Sequence, residues 1–142
     1  MALKLTTALY NEIAAHLMDA YPNEGAGLLL GKLTKSGKEA RIIIPLENKF
    51  ASDQLHHRYL ITAEDMHKGE TTANANGFEI LGVYHSHPEH PAEPSDYDRT
   101  NAWPWYSYLI VSMQNQQPST ARCWCLAEDR SEFNEEELLI ET

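Results

Sequence analysis

Leu81-Gly82-Val83-Tyr84-His85-Ser86-His87-Pro88 is the stretch that decides the fold. Its apolar run predicts a buried strand, and this strand ends in two histidines. A proline-rich loop follows, and Ser95 and Asp98 then open a predicted helix. One strand-loop-helix unit would therefore bring two imidazoles and a carboxylate together, which is the composition of a three-ligand zinc site with a fourth position open.

The composition describes an acidic globular chain. The 142 residues include 21 acidic and 11 basic side chains, which gives a net charge of -10. Nucleic acids and anionic membranes select basic surfaces, so neither is expected as a partner. Two cysteines form no disulfide framework, and no signal peptide or membrane-spanning run is evident. A cytoplasmic protein is the default expectation.

Hydrophobic periodicity predicts the elements of the first half of the chain. The predicted helices cover Thr7–Ala20 and Thr62–Ala75, the second opened by a capping box of Thr62 and Asp65. The predicted strands are Leu28–Leu30, its hairpin partner Ala40–Pro45 and a short strand at Arg58–Ile61, with a polar loop at Glu47–His57.

The second half completes a mixed sheet. A short helix is predicted from Ser95 to about Trp103, followed by a central strand at Ser107–Met113 and its hairpin partner at Thr120–Leu126. Leu138–Ile140 is expected to form an edge strand or a helical turn. These elements predict a single α/β domain over residues 1–142, with helices packed on a mixed sheet.

The two histidines are the strongest metal-ligand candidates. Alternation along a strand places His85 and His87 on one face, so both rings can reach one ion. Asp98 is a candidate third ligand, although Ser95 and Asp98 also have the spacing of an ordinary capping box. Asp96 and His90 are the rival carboxylate and the rival histidine.

Hydrolysis at such a site needs further groups. Three protein ligands leave one zinc position for a water molecule, whose pKa then falls toward about 7. Glu24 lies at the entrance of an apolar strand and is a candidate base, with an ordinary surface glutamate as the alternative. Ser95 is a candidate hydrogen-bond donor to an oxyanion.

These residues resemble the JAMM, or MPN-plus, metalloproteases. The family motif is a distant glutamate, then His-Ser/Thr-His-Pro, and then Ser-x-x-Asp after a fixed gap. Here seven residues separate His87 from Ser95. The resemblance implies that His85, His87 and Asp98 bind one zinc ion per chain. Glu24 would be the general acid/base and Ser95 the oxyanion donor.

The resemblance also implies a fold and an activity. The family fold is deaminase-like, with a curved mixed sheet flanked by helices, and compact prokaryotic members are single JAMM/MPN-like domains. Such proteins cleave peptide or isopeptide bonds at the C-terminus of ubiquitin-like or sulfur-carrier proteins. The expected protein is therefore a zinc metalloprotease with a ubiquitin-like or sulfur-carrier substrate.

Two other functions remain open on sequence grounds. One is a non-catalytic MPN-type module that binds a protein, which would be expected to carry a broken ligand set. The other is a zinc hydrolase of a small amide, whereas a nucleobase deaminase would need a His-x-Glu and Pro-Cys-x-x-Cys signature that is absent.

Two clusters outside the motif have less certain roles. Cys123 and Cys125 share a strand face, where packing or free thiols is more common than binding of a soft metal. Trp103, Trp105 and the nearby tyrosines follow the site helix. Most such clusters belong to the core, and the alternative is a groove for the tail of a substrate.

Overall fold

The computed structural model describes residues 2–48 and 59–142. Within these ranges, three helices pack against one mixed sheet. The elements in chain order are β1 (Ala2–Thr6), α1 (Thr7–Ala20), β2 (Ala26–Thr34), β3 (Gly37–Leu46), α2 (Ala63–Ala75), β4 (Glu79–Pro88), α3 (Asp96–Asn101), β5 (Ser107–Gln114), β6 (Gln117–Leu126), β7 (Phe133–Glu136) and β8 (Leu138–Glu141). None of the described helices is long and apolar enough to cross a membrane.

The sheet curls until its two edges approach each other. Its strand order is β7-β6-β5-β4-β2-β3-β1-β8, so β7 and β8 lie at opposite edges. Yet only Glu137 separates these two strands in the chain, and its carbonyl accepts a hydrogen bond of 2.9 Å from the Leu3 amide. A flat sheet of this order is therefore impossible, and the predicted curved mixed sheet is confirmed.

Both faces of the sheet are covered, which explains the continuous apolar run in β2. Leu28, Leu29 and Leu30 are all fully buried. Leu29 packs in one core cluster together with side chains of α1, whereas Leu28 and Leu30 pack in the other, on the face where α2 lies. Strand alternation sends successive leucines to opposite faces, so each face receives its own core.

Helix α2 approaches the sheet through small residues. Its capping box is present, with Thr62 accepting from the Asp65 amide and Asp65 accepting from the Thr62 amide. A Cβ at Gly69 would lie 2.5 Å from the Leu28 side chain, so glycine permits the close contact. Ala73 is also buried there, and the polar remainder of the helix faces outward, as predicted.

The structure adds two strands to the predicted elements and removes one. Residues Ala2–Thr6 form β1, which precedes α1 and is not among the predicted strands. Phe133–Glu136 forms β7, which sequence patterning did not indicate. Tyr59–Ile61 is irregular and not a strand, while Arg58 and most of the predicted loop at Glu47–His57 lie outside the described residues.

The last hairpin is longer than predicted. β6 begins at Gln117 and pairs antiparallel with β5, which leaves a tight turn at Asn115 and Gln116. Both turn residues have positive φ, 53° and 65°, as a type I′ hairpin requires. Leu138–Ile140 falls in β8, the edge strand of the two expected alternatives, which pairs parallel with β1.

Candidate metal centre and active site

Strand β4 carries both histidines into the interior. It lies between β2, to which it pairs antiparallel, and β5, to which it pairs parallel. The side chain of His85 is fully buried, and His87 is only 6% exposed. Their Nε2 atoms lie 3.3 Å apart, so the two rings converge as the alternation predicts.

Helix α3 delivers a carboxylate to the same point. Ser95 Oγ accepts a hydrogen bond from the Asp98 amide, and Asp98 Oδ2 accepts one from the Ser95 amide. The same Oδ2 atom lies 3.1 Å from His87 Nε2 and 3.4 Å from His85 Nε2. The capping box and the approach to the imidazoles therefore occur together. Asp96 is exposed on the other side of the helix start.

The spacing of these three atoms fits a metal ion. Ligand atoms about 2.0–2.1 Å from a tetrahedral zinc ion lie roughly 3.3 Å from one another. The three separations here are 3.1, 3.3 and 3.4 Å. A cation at this buried point could accept the lone pairs of both imidazole nitrogens and of the carboxylate oxygen. His85, His87 and Asp98 can therefore hold a metal ion.

A second carboxylate, Glu24, lies beside the histidines. Ligand atoms of Glu24, His85 and His87 all lie within 4.8 Å of one another. Glu24 is 5% exposed, and its Oε1 has no hydrogen-bond partner among the residues that the structure describes. Glu24 is thus aimed into the site with an unsatisfied oxygen, either as an alternative ligand or as a group that handles a proton.

The position of Glu24 depends on contacts across the sheet. The Gly25 amide donates to Ser86 Oγ at 2.9 Å, and the Ser86 amide donates to the Gly25 carbonyl at 3.0 Å. The Asn48 side chain donates to the Glu24 carbonyl at 2.9 Å. Ser86, for which the sequence pattern indicates no role, therefore connects the Glu24 segment to the histidine strand.

Burial and nearby charges shift the pKa values of Glu24 and Asp98 in opposite directions. Burial raises the pKa of Glu24 to about 8, with the nearby His87 opposing the shift. Burial alone would also raise the pKa of Asp98, but the two imidazoles outweigh it and hold this pKa well below its usual range. In the metal-free protein at neutral pH, Asp98 is ionised and Glu24 is mostly protonated.

The pKa values of the two imidazoles also shift in opposite directions. Burial lowers the pKa of His85, and Asp98 only partly opposes this shift. Burial also acts to lower the pKa of His87, but its hydrogen bond and charge interaction with Asp98 prevail and the pKa is raised. His85 is therefore the histidine that remains neutral, and Tyr59 stacks on its ring with centroids 4.5 Å apart.

The metal-free protein should lose stability between about pH 5 and pH 8 through Glu24. Its pKa in the folded chain is about 8, against 4.5 for the free side chain. Across this range the folded state keeps a proton that the unfolded state releases, so the free energy of unfolding falls as pH rises. Glu24→Gln should remove this part of the pH dependence.

Chemical unfolding in a chelator measures the effect. The variant should gain stability relative to wild type as pH rises from 5 to 8, by on the order of 3 kcal/mol. A difference between the two proteins that does not change with pH would show that Glu24 is ionised in the folded state.

The loop after β4 fixes the orientation of His87. His87 Nδ1 lies 2.9 Å from the Pro91 carbonyl, which can only accept a hydrogen bond. In the neutral ring this contact places the proton on Nδ1 and leaves the Nε2 lone pair for a ligand position. Two side chains hold the carbonyls on either side of Pro91: Ser112 donates to His90 at 2.5 Å, and Trp124 donates to Ala92 at 3.0 Å.

Loss of either donor should weaken metal binding. Ser112→Ala and Trp124→Phe each free one flank of Pro91, and we expect the zinc dissociation constant to rise about tenfold, a usual effect for groups that orient a ligand. Competition with a chromophoric chelator measures it. Ser119→Ala, an exposed hydroxyl on β6, is the control. Wild-type affinity in both variants would mean that the loop keeps its position without them.

The site opens to solvent through a cleft of about 370 Å³. The residues that line it are Glu24, His87, His90, Pro91, Glu93, Pro94 and Ser95. Ser95 is exposed at this opening, and so is His90, which does not join the buried histidine pair. A substrate carbonyl can therefore reach the buried donor atoms through the cleft that Ser95 and Glu24 share.

The cysteines form no second metal centre among residues 2–48 and 59–142. No group of three potential ligands there includes a cysteine. Cys123 is buried and lies 3.5 Å from Glu136 Oε1, to which its thiol donates. Cys125 is half-buried. Packing is therefore the role that the structure shows for Cys123.

Comparison with known proteins agrees with this geometry. The Prok-JAB family, described as prokaryotic homologs of the JAB domain, matches residues 6–126. The chain belongs to the Prok-JAB family. The resemblance to compact prokaryotic JAMM/MPN proteases is thereby confirmed. The matched residues contain every candidate site residue, from Glu24 to Asp98.

Two relatives of this Prok-JAB protein are named as enzymes. A Thermus thermophilus protein named "Probable TtuB-protein conjugate cleaving protease" is 34% identical over 110 residues, which are 78% of this chain and 70% of the relative. A "Desampylase" from Haloferax volcanii is 33% identical over 107 residues, 72% of this chain and 70% of the relative. They confirm the prediction of an enzyme of the JAB protease class.

A solved structure confirms the fold. A JAB1/MPN domain protein from Archaeoglobus fulgidus superposes with a TM-score of 0.58 at 18% identity, covering 97% of this chain and 98% of that one. At this identity the likeness concerns the fold alone. The α/β class with a curved mixed sheet is the fold of JAB/MPN proteins.

Proposed function

We propose that this chain, as one JAMM/MPN-like domain over residues 1–142, is a zinc-dependent metallopeptidase. Its substrates would be peptide or isopeptide bonds at the C-terminus of a ubiquitin-like or sulfur-carrier protein. The observation that carries the proposal is the convergence of three donor atoms at metal-ligand spacing beside a buried, protonatable Glu24. The names of the Thermus and Haloferax relatives support the substrate class.

His85, His87 and Asp98 are the proposed ligands of one zinc ion per chain. Asp98 is preferred to Glu24 because its Oδ2 is within 3.4 Å of both imidazoles and its pKa is low, so the anionic form that binds a cation is already present. Two imidazoles and one carboxylate oxygen are ordinary zinc donors. Zinc, when bound, lowers the pKa of water and polarises a carbonyl group.

Glu24 is the proposed general acid/base. In the metal-free protein burial raises its pKa to about 8, and a bound zinc ion would favour the ionised form. That carboxylate could accept a proton from the attacking water and return it to the departing amine. Ser95 Oγ already accepts from the Asp98 amide, so its own proton is available for the cleft. We assign Ser95 to donate that proton in a hydrogen bond to the oxyanion that develops on the substrate carbonyl.

Hydrolysis of a defined conjugate tests the proposal. The zinc-loaded protein would be incubated with Thermus thermophilus TtuB joined through its C-terminus to a lysine side chain, and the release of TtuB followed by mass spectrometry. We expect release that stops with a chelator and returns with zinc. A short peptide with the TtuB C-terminal residues linked to lysine should also be cleaved, more slowly.

Other outcomes identify the alternatives. Zinc binding with no cleavage of any peptide or conjugate would favour a non-catalytic MPN-type module that binds proteins. Cleavage of small amides but not of conjugates would favour a small-amide hydrolase. A protein that takes up no zinc at all would contradict both the metal centre and the activity. The net charge of -10 continues to predict no nucleic-acid or anionic-membrane partner.

A further inference from the structure

Two tryptophans that follow α3 are exposed. Trp103 is 55% exposed and Trp105 is 41% exposed, with Pro104 between them and Tyr106 beside them. We call this segment, residues 103–106, the aromatic ridge. Large aromatic side chains are mostly buried in folded proteins, and exposed ones are frequent at the centres of protein interfaces. The sequence prediction that such a cluster is core therefore fails for both tryptophans.

The backbone of the ridge is strained at Trp105 and is contacted by the buried Lys38. Trp105 has a φ of 80°, in the left-handed region that a bulky residue rarely adopts. Lys38, only 2% exposed, donates from Nζ to the Trp105 carbonyl and to Ser107 Oγ, and its Nζ lies 4.3 Å from the centroid of the Trp105 ring. Residues held in sparsely populated backbone conformations cluster at functional sites.

The aromatic rings are also fixed relative to one another. The Trp103 amide donates to the Tyr108 hydroxyl at 2.9 Å. The Tyr106 ring contacts both tryptophans, with centroid separations of 6.1 Å to Trp103 and 5.7 Å to Trp105. An interface that is ordered before its partner arrives loses less conformational entropy on binding. The exposed ridge is therefore preorganised for binding a partner.

Acidic cavities flank the ridge on two sides. One, of about 530 Å³, lies between the ridge and the α2–β4 region and contains Glu70 and Glu79. The other, of about 570 Å³, lies beyond Trp105 and contains the three glutamates of residues 135–137, of which Glu135 pairs with Arg122 at 2.8 Å. The one lysine among their lining residues, Lys38, is engaged beneath Trp105. A complementary partner surface has an apolar centre and a basic rim.

A cavity links the ridge to residues that neighbour the metal ligands. A third cavity, of about 310 Å³, is lined by Trp103 and Tyr106 and also by Tyr59 and Tyr97. Tyr59 stacks on His85, and Tyr97 directly precedes Asp98 in α3. This cavity shares no lining residue with the cleft at Glu24 and His87, so a carrier bound on the ridge would reach that cleft through an extended C-terminal tail.

We propose that the aromatic ridge is the docking surface for the carrier half of a protein conjugate, through a carrier surface with an apolar centre and basic rim. The carrier identity rests on the proposed function. Conjugates share their carrier and differ in their targets, so a fixed surface on the enzyme suits the carrier. The ridge would lower KM for conjugates and would leave KM for short peptides unchanged.

Binding of free TtuB tests the docking surface without any catalysis. Isothermal titration of the zinc-loaded protein with Thermus thermophilus TtuB should give saturable binding, and Trp103→Ala and Trp105→Ala should each weaken it at least tenfold. Ile140→Ala is the matched control, because Ile140 is 40% exposed on β8 and lines none of these cavities. Glu70→Lys combined with Glu79→Lys should weaken binding and reduce its dependence on salt.

The outcomes separate the surface from the activity. If wild type binds TtuB and the tryptophan variants do not, the docking surface stands even when no conjugate is cleaved. Absence of TtuB binding, or equal affinity in the tryptophan variants, overturns it even when cleavage is observed. Concentration-dependent dimerisation that Trp103→Ala abolishes would also overturn it, since the ridge would then bind a second copy of this chain.

Steady-state kinetics with a conjugate and with a short peptide provide the second measurement. With an active enzyme, Trp103→Ala should raise KM for a TtuB–lysine conjugate at least tenfold. It should leave kcat/KM for the short peptide within about twofold. A matching loss on the peptide would place Trp103 in the cleft instead of on a docking surface.

Discussion

Replacing Glu24 with glutamine should abolish hydrolysis while leaving the metal bound. Glutamine keeps the shape of the side chain but cannot take up and return a proton at neutral pH, and positioned acid/base groups contribute about 10²–10⁴-fold to rates. We therefore expect kcat/KM on the TtuB–lysine conjugate to fall at least about a hundredfold. Zinc content, measured on the same preparation by plasma emission, should remain that of wild type.

A matched carboxylate provides the control. Glu93 lines the same cleft but is exposed and pairs with Arg122 at 3.3 Å, so Glu93→Gln should retain activity. Undiminished turnover in Glu24→Gln would remove Glu24 from proton transfer. Loss of zinc in that variant, with zinc retained by Asp98→Asn, would make Glu24 and not Asp98 the third ligand, which is the arrangement that the 4.8 Å grouping of Glu24 with the histidines leaves open.

Removal of either buried histidine should empty the metal site. His85→Ala and His87→Ala each delete one donor from a three-atom set in which no described histidine or cysteine stands ready as a replacement. We expect zinc to fall from one ion per chain to nearly none, and hydrolysis to disappear with it. Zinc should raise the unfolding temperature of wild type and leave that of both variants unchanged, because binding to the folded state alone stabilises it.

His90 tests whether the effect is specific. It is exposed in the same loop, three residues after His87, and His90→Ala should keep both zinc and activity. Full zinc content in His87→Ala would contradict the ligand assignment, as would zinc loss in His90→Ala. Acid should release the metal from wild type as the ligand imidazoles protonate.

Local patterns predicted the parts of the site that depend on neighbours in the chain. The capping box of Ser95 and Asp98 was visible because its two residues are three apart, and the convergence of His85 and His87 followed from strand alternation. The family resemblance, and not the local pattern, favours Asp98 over Asp96. The structure places Asp98, and not Asp96, against the imidazoles.

Contacts between neighbouring strands could not be predicted from the sequence, because they depend on the strand order. Ser86 contacts Gly25 only because β4 lies beside β2, and Trp124 reaches the loop at Ala92 only because β6 lies two strands from β4. β7 carries two glutamates and an asparagine among its four residues, so its strand character comes from backbone pairing with β6. Tyr59–Ile61 has strand-forming residue types but is irregular, with Tyr59 packed on His85.

The closure of the sheet at Glu137 affects how the chain folds. Leu3 pairs with Leu138, so the parallel ladder of β1 and β8 joins residues from almost opposite ends of the sequence. Contacts of such long separation carry the largest loop-closure entropy and slow the folding of a domain. We therefore expect the ladder of β1 and β8 to form after the β2–β3 and β5–β6 hairpins, whose partners are close in the chain.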